Sequence, residues 1–262
     1  MTSSTRNALG TKGFVKRRPD APDGFYAVEA AGLAWLAEAP HGADVVRVLD
    51  VSPDALTVEL VEETAPSIGA AVALGHGLAR THAAGAASYG SPPDGWDGDG
   101  FIGPLPITHR PCTGFGEFFA LLRLLPFVRQ LRDAGTIEPG EVAVLERVCD
   151  RVARGVISGP EEPASRVHGD LWSGNVVWAE GRAVLVDPSA HGGHRESDLA
   201  MLALFGLPYL EPLLSAYGEV HALADGWRER VGLHQLYPLL VHGVLFGRGY
   251  AQRAITIATG YC

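Results

Sequence analysis

The sequence predicts an α+β fold of two lobes, a small N-terminal lobe of strands with one helix and a larger, mostly helical C-terminal lobe. Three observations predict it. Residues 1–63 carry short strand-like apolar runs around a single helical pattern. Residues 64–262 are dominated by long helical patterns. Within that helical stretch stands one hairpin, in which Val176-Val177 starts a strand that Val184-Leu185-Val186 answers across the turn Glu180-Gly181-Arg182.

In chain order, Phe14-Val15-Lys16 reads as a strand. A polar turn from Arg17 to Gly24 leads to a helix over 26–37, whose apolar positions are Val28, Leu33, Trp35 and Leu36. Val45 to Leu49 and Leu56 to Val61 read as two further strands. Ser67 is placed to N-cap an Ala-rich helix over 67–87. Its Gly75, Gly77 and Gly85 each cost roughly 1 kcal/mol against Ala, which close helix packing would explain. On this helix His76 and His82 read as structural or exposed, because no carboxylate stands at metal-ligand spacing.

Residues 88–112 form a long Gly/Pro/Asp loop with Trp96, Phe101 and Ile102 as apolar anchors. Loops of this length are usually functional or mobile, and a surface loop pinned by aromatics is the plainer reading. Thr113 to Ala134 and Pro139 to Ile157 read as helices; Arg123 is a candidate for substrate or loop contacts, and Arg129 for a solvated face. Helices broken at Pro208, Pro212 and Pro238 fill the stretch from Leu199 to Thr259.

Composition narrows the function. A net charge of −9 argues against a nucleic-acid partner. No apolar run reaches the ~18 residues of a membrane span, and the N-terminus lacks a signal-peptide core. Cys112, Cys149 and Cys262 have no metal spacing and read as free thiols in a reducing cytoplasm. His191 and His194, in a glycine-rich loop, are weak grounds for a metal site.

The chemistry concentrates in Val167-His168-Gly169-Asp170-Leu171-Trp172-Ser173-Gly174-Asn175 and in Asp187-Pro188 after the second hairpin strand. An acid, an amide and a second acid at this spacing suit metal-dependent phosphoryl transfer. Protein kinases write the first part as H-R-D-x-x-x-x-N. Asp170 would accept the proton of an attacking hydroxyl. Asn175 and Asp187, held at fixed separation by the hairpin, would bind Mg²⁺, which prefers oxygen ligands shared with phosphates and water. An ordinary surface hairpin has no need of three such positions with apolar flanks. His168 is expected to orient the loop backbone rather than exchange protons. Trp172, between Asp170 and Asn175, should stand at the cleft wall and offer its face to a sugar ring or a cation.

The run HGDLWSGN resembles the signature of the fructosamine kinase (ketosamine kinase) family, which sits with aminoglycoside and choline kinases in the protein-kinase-like group. Trp172 is typical of that branch. Asp99 to Pro106 (DGFIGPLP) is similar to its N-F-I-G-x-L-P segment. Glu117-Phe118-Phe119 through Arg123-Leu124-Leu125-Pro126 is similar to its E-F-F…R-L-L-P helix. Asp187 to Ala200 is similar to its D-P-A-x-x-x-G-x-x-E-x-D-L-A block. The resemblance runs from about Phe14 to the end of the chain.

It implies a bilobal protein-kinase-like fold with ATP and Mg²⁺ as cofactors. Lys16 would grip the nucleotide phosphates and pair with Glu29. The hinge from Glu59 through Val61 to Glu63 would offer backbone groups to the adenine edge. Phe101 would lie near the sugar, and Trp172 would be the ketosamine platform. Asp198 would brace the catalytic loop, although an acid starting a helix is equally what the helix dipole favours. One departure is expected. Only 15 residues precede Lys16, the first five read as unstructured, and only Arg6 to Leu9, with Gly10 to Gly13 as a turn, could add a strand. Two strands of about five to six residues plus a turn would not fit. The N-lobe is therefore expected to be truncated, with its phosphate lid shortened or absent.

The implied reaction is ATP-dependent phosphorylation of a sugar hydroxyl of a ketosamine, small or protein-bound, by a cytoplasmic monomer or homodimer, leading to deglycation. The alternatives are a kinase for an aminoglycoside or amino alcohol, and a degenerate kinase that binds without turnover.

Overall fold

In the computed structural model of the protein, residues 2–6 (by their backbone) and 12–262 are described. The N-terminal lobe is a four-stranded antiparallel sheet in the order β1-β2-β5-β4, formed by β1 (Thr2–Arg6), β2 (Lys12–Lys16), β4 (Val48–Ser52) and β5 (Ala55–Glu59). Helix α1 (Phe25–Ala37) packs on it. Leu56 and Val58, two apart on β5, share one buried face, and Phe14 of β2 stands opposite Val58 on that face. With Tyr26 and Leu33 of the helix, Leu56 and Val58 build a small core of their own.

The β1–β2 hairpin overturns one expectation. Strand β1 begins at Thr2, inside the stretch that reads as unstructured, and pairs with β2 from Thr2–Lys16 to Arg6–Lys12. Counting those residues as strand gives the hairpin its room. The N-lobe is small, as expected, but both strands of this hairpin are present among the described residues. Lys12 and Gly13, expected in the turn, belong to β2, while Asn7 to Thr11 lie outside the described residues.

The strand expected over Val45 to Leu49 is two. Strand β3 (Asp44–Val45) runs parallel to β10 (Arg182–Leu185), which pairs antiparallel with β9 (Val176–Ala179); β4 then joins the N-terminal sheet. Val46 N–H donates to Leu185 O at 3.0 Å, at the crossing between the two sheets. Val184 of β10 is itself part of the N-terminal core. The hairpin that reads as catalytic is thereby stitched to the lobe that should hold the nucleotide.

The C-terminal lobe packs around two cores. One gathers α3 (Phe115–Phe118), α4 (Leu125–Asp133), α5 (Pro139–Ala153), α8 (Trp227–Phe246) and α9 (Arg248–Thr259). The other gathers α2 (Ile68–Ala83), α6 (Arg195–Phe205), α7 (Leu210–Val220) and the β9–β10 hairpin. Ser67 caps α2 as expected, its Oγ accepting from Ala70 N–H at 3.2 Å. A Cβ on Gly75 would lie 2.3 Å from Leu213 O, so this glycine is where α7 reaches the α2 backbone.

Three proline and loop readings change. Pro238 lies inside α8 and does not break it. The lost backbone bond is tolerated because Leu236, Leu239 and Leu240 hold the helix in the large core. Pro212 sits in the first turn of α7, where its missing N–H costs nothing. The long loop contains a hairpin, β6 (Gly100–Ile102) and β7 (Leu105–Ile107). Residues Phe119–Leu124, between α3 and α4, are wound as a π-helix. That segment buries Arg123 completely, with Nη1 donating to Thr108 O at 3.2 Å. Its contact is with the loop. Arg129 is exposed. A final pair, β8 (Ser165–Val167) with β11 (His191–Gly193), brackets residues 168–190.

Candidate active site

Asp170 follows β8 through Gly169, whose φ of +79° and close approach to Ser189 both require glycine; a Cβ there would lie 2.1 Å from Ser189 O. His168 behind it is buried. Its Nε2–H donates to Val186 O at 2.9 Å, and its Nδ1 accepts from Asp170 N–H at 3.3 Å. Burial lowers the imidazole pKa and keeps it neutral, as this bonding requires. The histidine therefore ties the loop that carries Asp170 to the strand leading to Asp187.

Asn175 immediately precedes β9, and Asp187 follows β10. The amide nitrogen of Asn175 donates to Asp170 O (2.8 Å), to Asp170 Oδ2 (3.1 Å) and to Asp187 O (3.3 Å). Asp187 has a left-handed backbone (φ 56°), a conformation Asp tolerates better than most residues and one that recurs at functional sites. Burial, more than the neighbouring acids Asp187 and Asp198, pushes the Asp170 carboxyl up to about 7 against the hydrogen bond from Asn175. Asn175 and Asp187 both line one cleft, and an amide oxygen with a carboxylate is a donor set that suits Mg²⁺.

Lys16 Nζ forms ion pairs with both Glu29 and Asp187. Burial pulls its ammonium down, and the two carboxylates more than offset it, so its pKa is raised and it stays charged. Burial raises Glu29, with Lys16 opposing. Strand β2, helix α1 and the hairpin thus converge on one point.

Beyond it lies an apolar pocket lined by Phe14, Lys16, Val58, Glu59, Val61 and Asp187 among others. The chain leaves the sheet after the bond from Leu60 N–H to Lys12 O (2.9 Å) and is next tied by Thr64 N–H to Trp178 O (2.8 Å). The backbone from Val61 to Glu63 is left along that pocket, suited to an adenine edge. The Glu59 carboxylate turns back to accept from Arg47 N–H at 3.3 Å, so its contribution there is backbone and wall.

On the other side of Asp187 is a cleft of about 290 Å³ lined by Glu29, Phe101, Asp170, Trp172, Asn175 and Ser189 among others. Trp172 is 39% exposed and stands over Gly174 with Phe205 at its edge (6.0 Å between ring centroids). Phe101, on the β6–β7 hairpin, is held by Ser189 Oγ–H donating to its carbonyl at 2.7 Å, and its ring lies 5.2 Å from that of Phe25. Phe25 and Ser189 were not legible as cleft residues. The hairpin that brings Phe101 in had only the Gly103-Pro104 pair as its turn signal.

Asp198 sits beneath the loop that carries Asp170. Its carboxylate is buried and accepts from His168 N–H (2.7 Å), Gly169 N–H (3.0 Å) and His82 Nε2 (3.2 Å). Burial would raise its pKa, but these donors, led by His82, lower it. His82 also meets Tyr217 OH at 2.8 Å. Asp198→Ala would leave two backbone donors and an imidazole unpaired, and should cost about 3–5 kcal/mol in urea unfolding. A depressed folded pKa also means that this contribution is present above the unfolded pKa and is lost as pH falls through the folded one.

The histidines of the glycine-rich loop separate. His191 Nδ1–H donates to Ser189 O (2.8 Å), and His194 caps α6, its Nδ1 accepting from Glu196 N–H at 3.2 Å. His194, Glu196 and His234 do approach one another within 4.8 Å. Arg230 forks onto both Glu196 oxygens at 2.9 and 2.6 Å, so that carboxylate is committed to a guanidinium.

The family model for fructosamine kinase matches residues 4–260. A protein of Thermus thermophilus named as a ketoamine kinase is 32% identical over 237 residues, covering 90% of this chain and 82% of its own length. The chloroplastic protein-ribulosamine 3-kinase of Arabidopsis thaliana is 30% identical over 261 residues, covering 95% and 75%. A crystal structure from Thermobifida fusca carried under the name fructosamine-3-kinase superposes with a TM-score of 0.91 at 44% identity, over 100% of this chain and 93% of that one. With a match that spans nearly the whole sequence and a cleft that assembles Asp170, Asn175 and Asp187, the chain belongs to the fructosamine kinase family.

Proposed function

We propose that the protein transfers the γ-phosphoryl group of ATP to a sugar hydroxyl of a ketosamine, a fructosamine or ribulosamine carried on a small amine or a protein lysine. The observation that carries this is the order of parts along one cleft. Asp187 borders both the apolar pocket and the larger cleft, and Asp170 and Trp172 line the latter beyond it. The division into lobes falls near residue 63, where the chain crosses the mouth of the pocket.

Asp170 receives the proton of the sugar hydroxyl and fixes its direction of attack. Its carboxyl, pushed up to about 7, lies in the range that suits a general base near neutral pH. Lys16, held by Glu29, offers its charge to the phosphates. Asn175 and Asp187 would hold Mg²⁺, which supplies charge neutralisation between the phosphates when bound. Positioning and electrostatics provide most of the acceleration in such a transfer. Trp172 gives the sugar a flat wall. A reducing cytoplasm is its setting, consistent with three free cysteines.

With the β1–β2 hairpin present, the reading as a binder without turnover loses the feature that suggested it. ADP release should depend on a ketosamine in a panel that also holds an aminoglycoside and an amino alcohol. Turnover of only the latter two would overturn the reading.

Gly174 gives a sharper expectation for the wall. A Cβ there would lie 2.3 Å from the Trp172 ring, so Gly174→Ala must displace the indole. The KM for the ketosamine should rise about tenfold, the scale of one lost ring contact. Steady-state kinetics with the acceptor varied would show it.

A further inference from the structure

A second groove, of about 200 Å³, opens from the catalytic loop on the side away from the nucleotide pocket. It shares Gly103, Asp170 and Trp172 with the main cleft and continues over Val241, His242 and Leu245 to Phe246. Phe246 is 68% exposed, an unusual state for a phenylalanine ring. The aromatic rings form a track: Trp172 to Phe205 (6.0 Å), Phe205 to His242 (5.0 Å) and His242 to Phe246 (5.4 Å).

The groove carries little charge. Apart from Asp170, its titratable groups among the described residues are Tyr237 and His242. His242 donates Nδ1–H to Pro238 O at 2.7 Å, and burial lowers its pKa, so the ring is neutral. Among the described residues lining the groove, neither a cationic nor an anionic arm would find a counter-charge beyond Asp170.

Resting on the ketosamine reading, we infer that this groove takes the substituent on the ketosamine nitrogen and selects a small substrate whose amine carries a neutral aromatic or alkyl group. The geometry leaves few other paths. The reacting hydroxyl must lie at Asp170, the nucleotide fills the side toward Lys16, and the amine leaves the sugar within a few bonds of that hydroxyl. The groove that also borders Asp170 is where the arm can run. Its volume exceeds the ~150 Å³ in which an apolar cavity takes up benzene.

The test uses one sugar on four amines: benzylamine, ethanolamine, β-alanine and ethylenediamine. The N-benzyl ketosamine should show a KM about tenfold below that of the N-hydroxyethyl compound, with kcat similar, because the ring contributes equally to ground and transition states. The carboxylate and ammonium arms should be poorer still. Phe246→Asp should shrink the benzyl preference to about twofold or less, and the milder Phe246→Ala should shrink it in the same direction. Equal KM values across the series, a preference for a charged arm, or a benzyl preference untouched by both variants would overturn the inference while leaving the ketosamine reading in place. Failure of all four compounds to support turnover would overturn both.

Discussion

Replacing Asp170 with Asn should lower kcat by about 10²–10⁴-fold, the usual worth of a positioned general base. The substitution keeps the size of the side chain and an oxygen that can still accept from Asn175. It removes only the capacity to take a proton. KM values for ATP and the acceptor should change little, because the lost interaction forms as the hydroxyl is deprotonated and not when the substrate binds. Stability separates this role from a structural one. Burial already disfavours the charged carboxylate of Asp170. The neutral amide should therefore leave the unfolding midpoint unchanged or higher, so that activity collapses in a protein that is no less folded. A parallel loss of stability and activity would point to a structural acid instead.

Asp187→Asn should cost about 10³-fold in kcat/KM at limiting Mg²⁺, since a metal's charge stabilisation in the transition state is worth several kcal/mol. Two effects combine. The carboxylate is the one charged member of the proposed metal set, and it is also a partner of Lys16. Asparagine tolerates the left-handed backbone that residue 187 adopts, so the loop should keep its course. The variant should consequently need more Mg²⁺ for half-maximal rate, and titrating the metal should recover part of the activity. A variant whose Mg²⁺ requirement matched that of the unaltered protein would remove Asp187 from the metal site.

These positions were legible because they sit in local patterns. The run from His168 to Asn175 and the hairpin to Asp187 span few residues, and the apolar flanks that fix them are part of the same stretch. Lys16 and Glu29 were harder. A lysine beside two arginines reads as a solvated charge, and only the resemblance singled it out; the structure pairs Lys16 with Glu29 and with Asp187. Long-range partners carried no local signal. His82 and Asp198 are separated by 116 positions, so nothing near His82 revealed the carboxylate it meets. The same holds for the crossing at Val46, which splits one apolar run between two sheets.

Elsewhere, local rules gave way to packing. Pro238 reads as a break, yet the surrounding leucines keep α8 continuous. Thr2 to Thr5 read as loose because small polar residues have no pattern, while their backbone pairs with β2. The π-helical turn that buries Arg123 has no simple sequence mark, and it points the guanidinium at a loop carbonyl and over the Phe118 ring (4.6 Å).

The central claim is tested most directly by the product. The protein would be incubated with Mg-ATP and a synthetic ribulosamine, and the acceptor followed by mass spectrometry alongside ADP release. A phosphate gained on the sugar, equimolar with ADP and lost in Asp170→Asn, is the predicted result. An unmodified sugar with ADP release no faster than without acceptor would contradict the account.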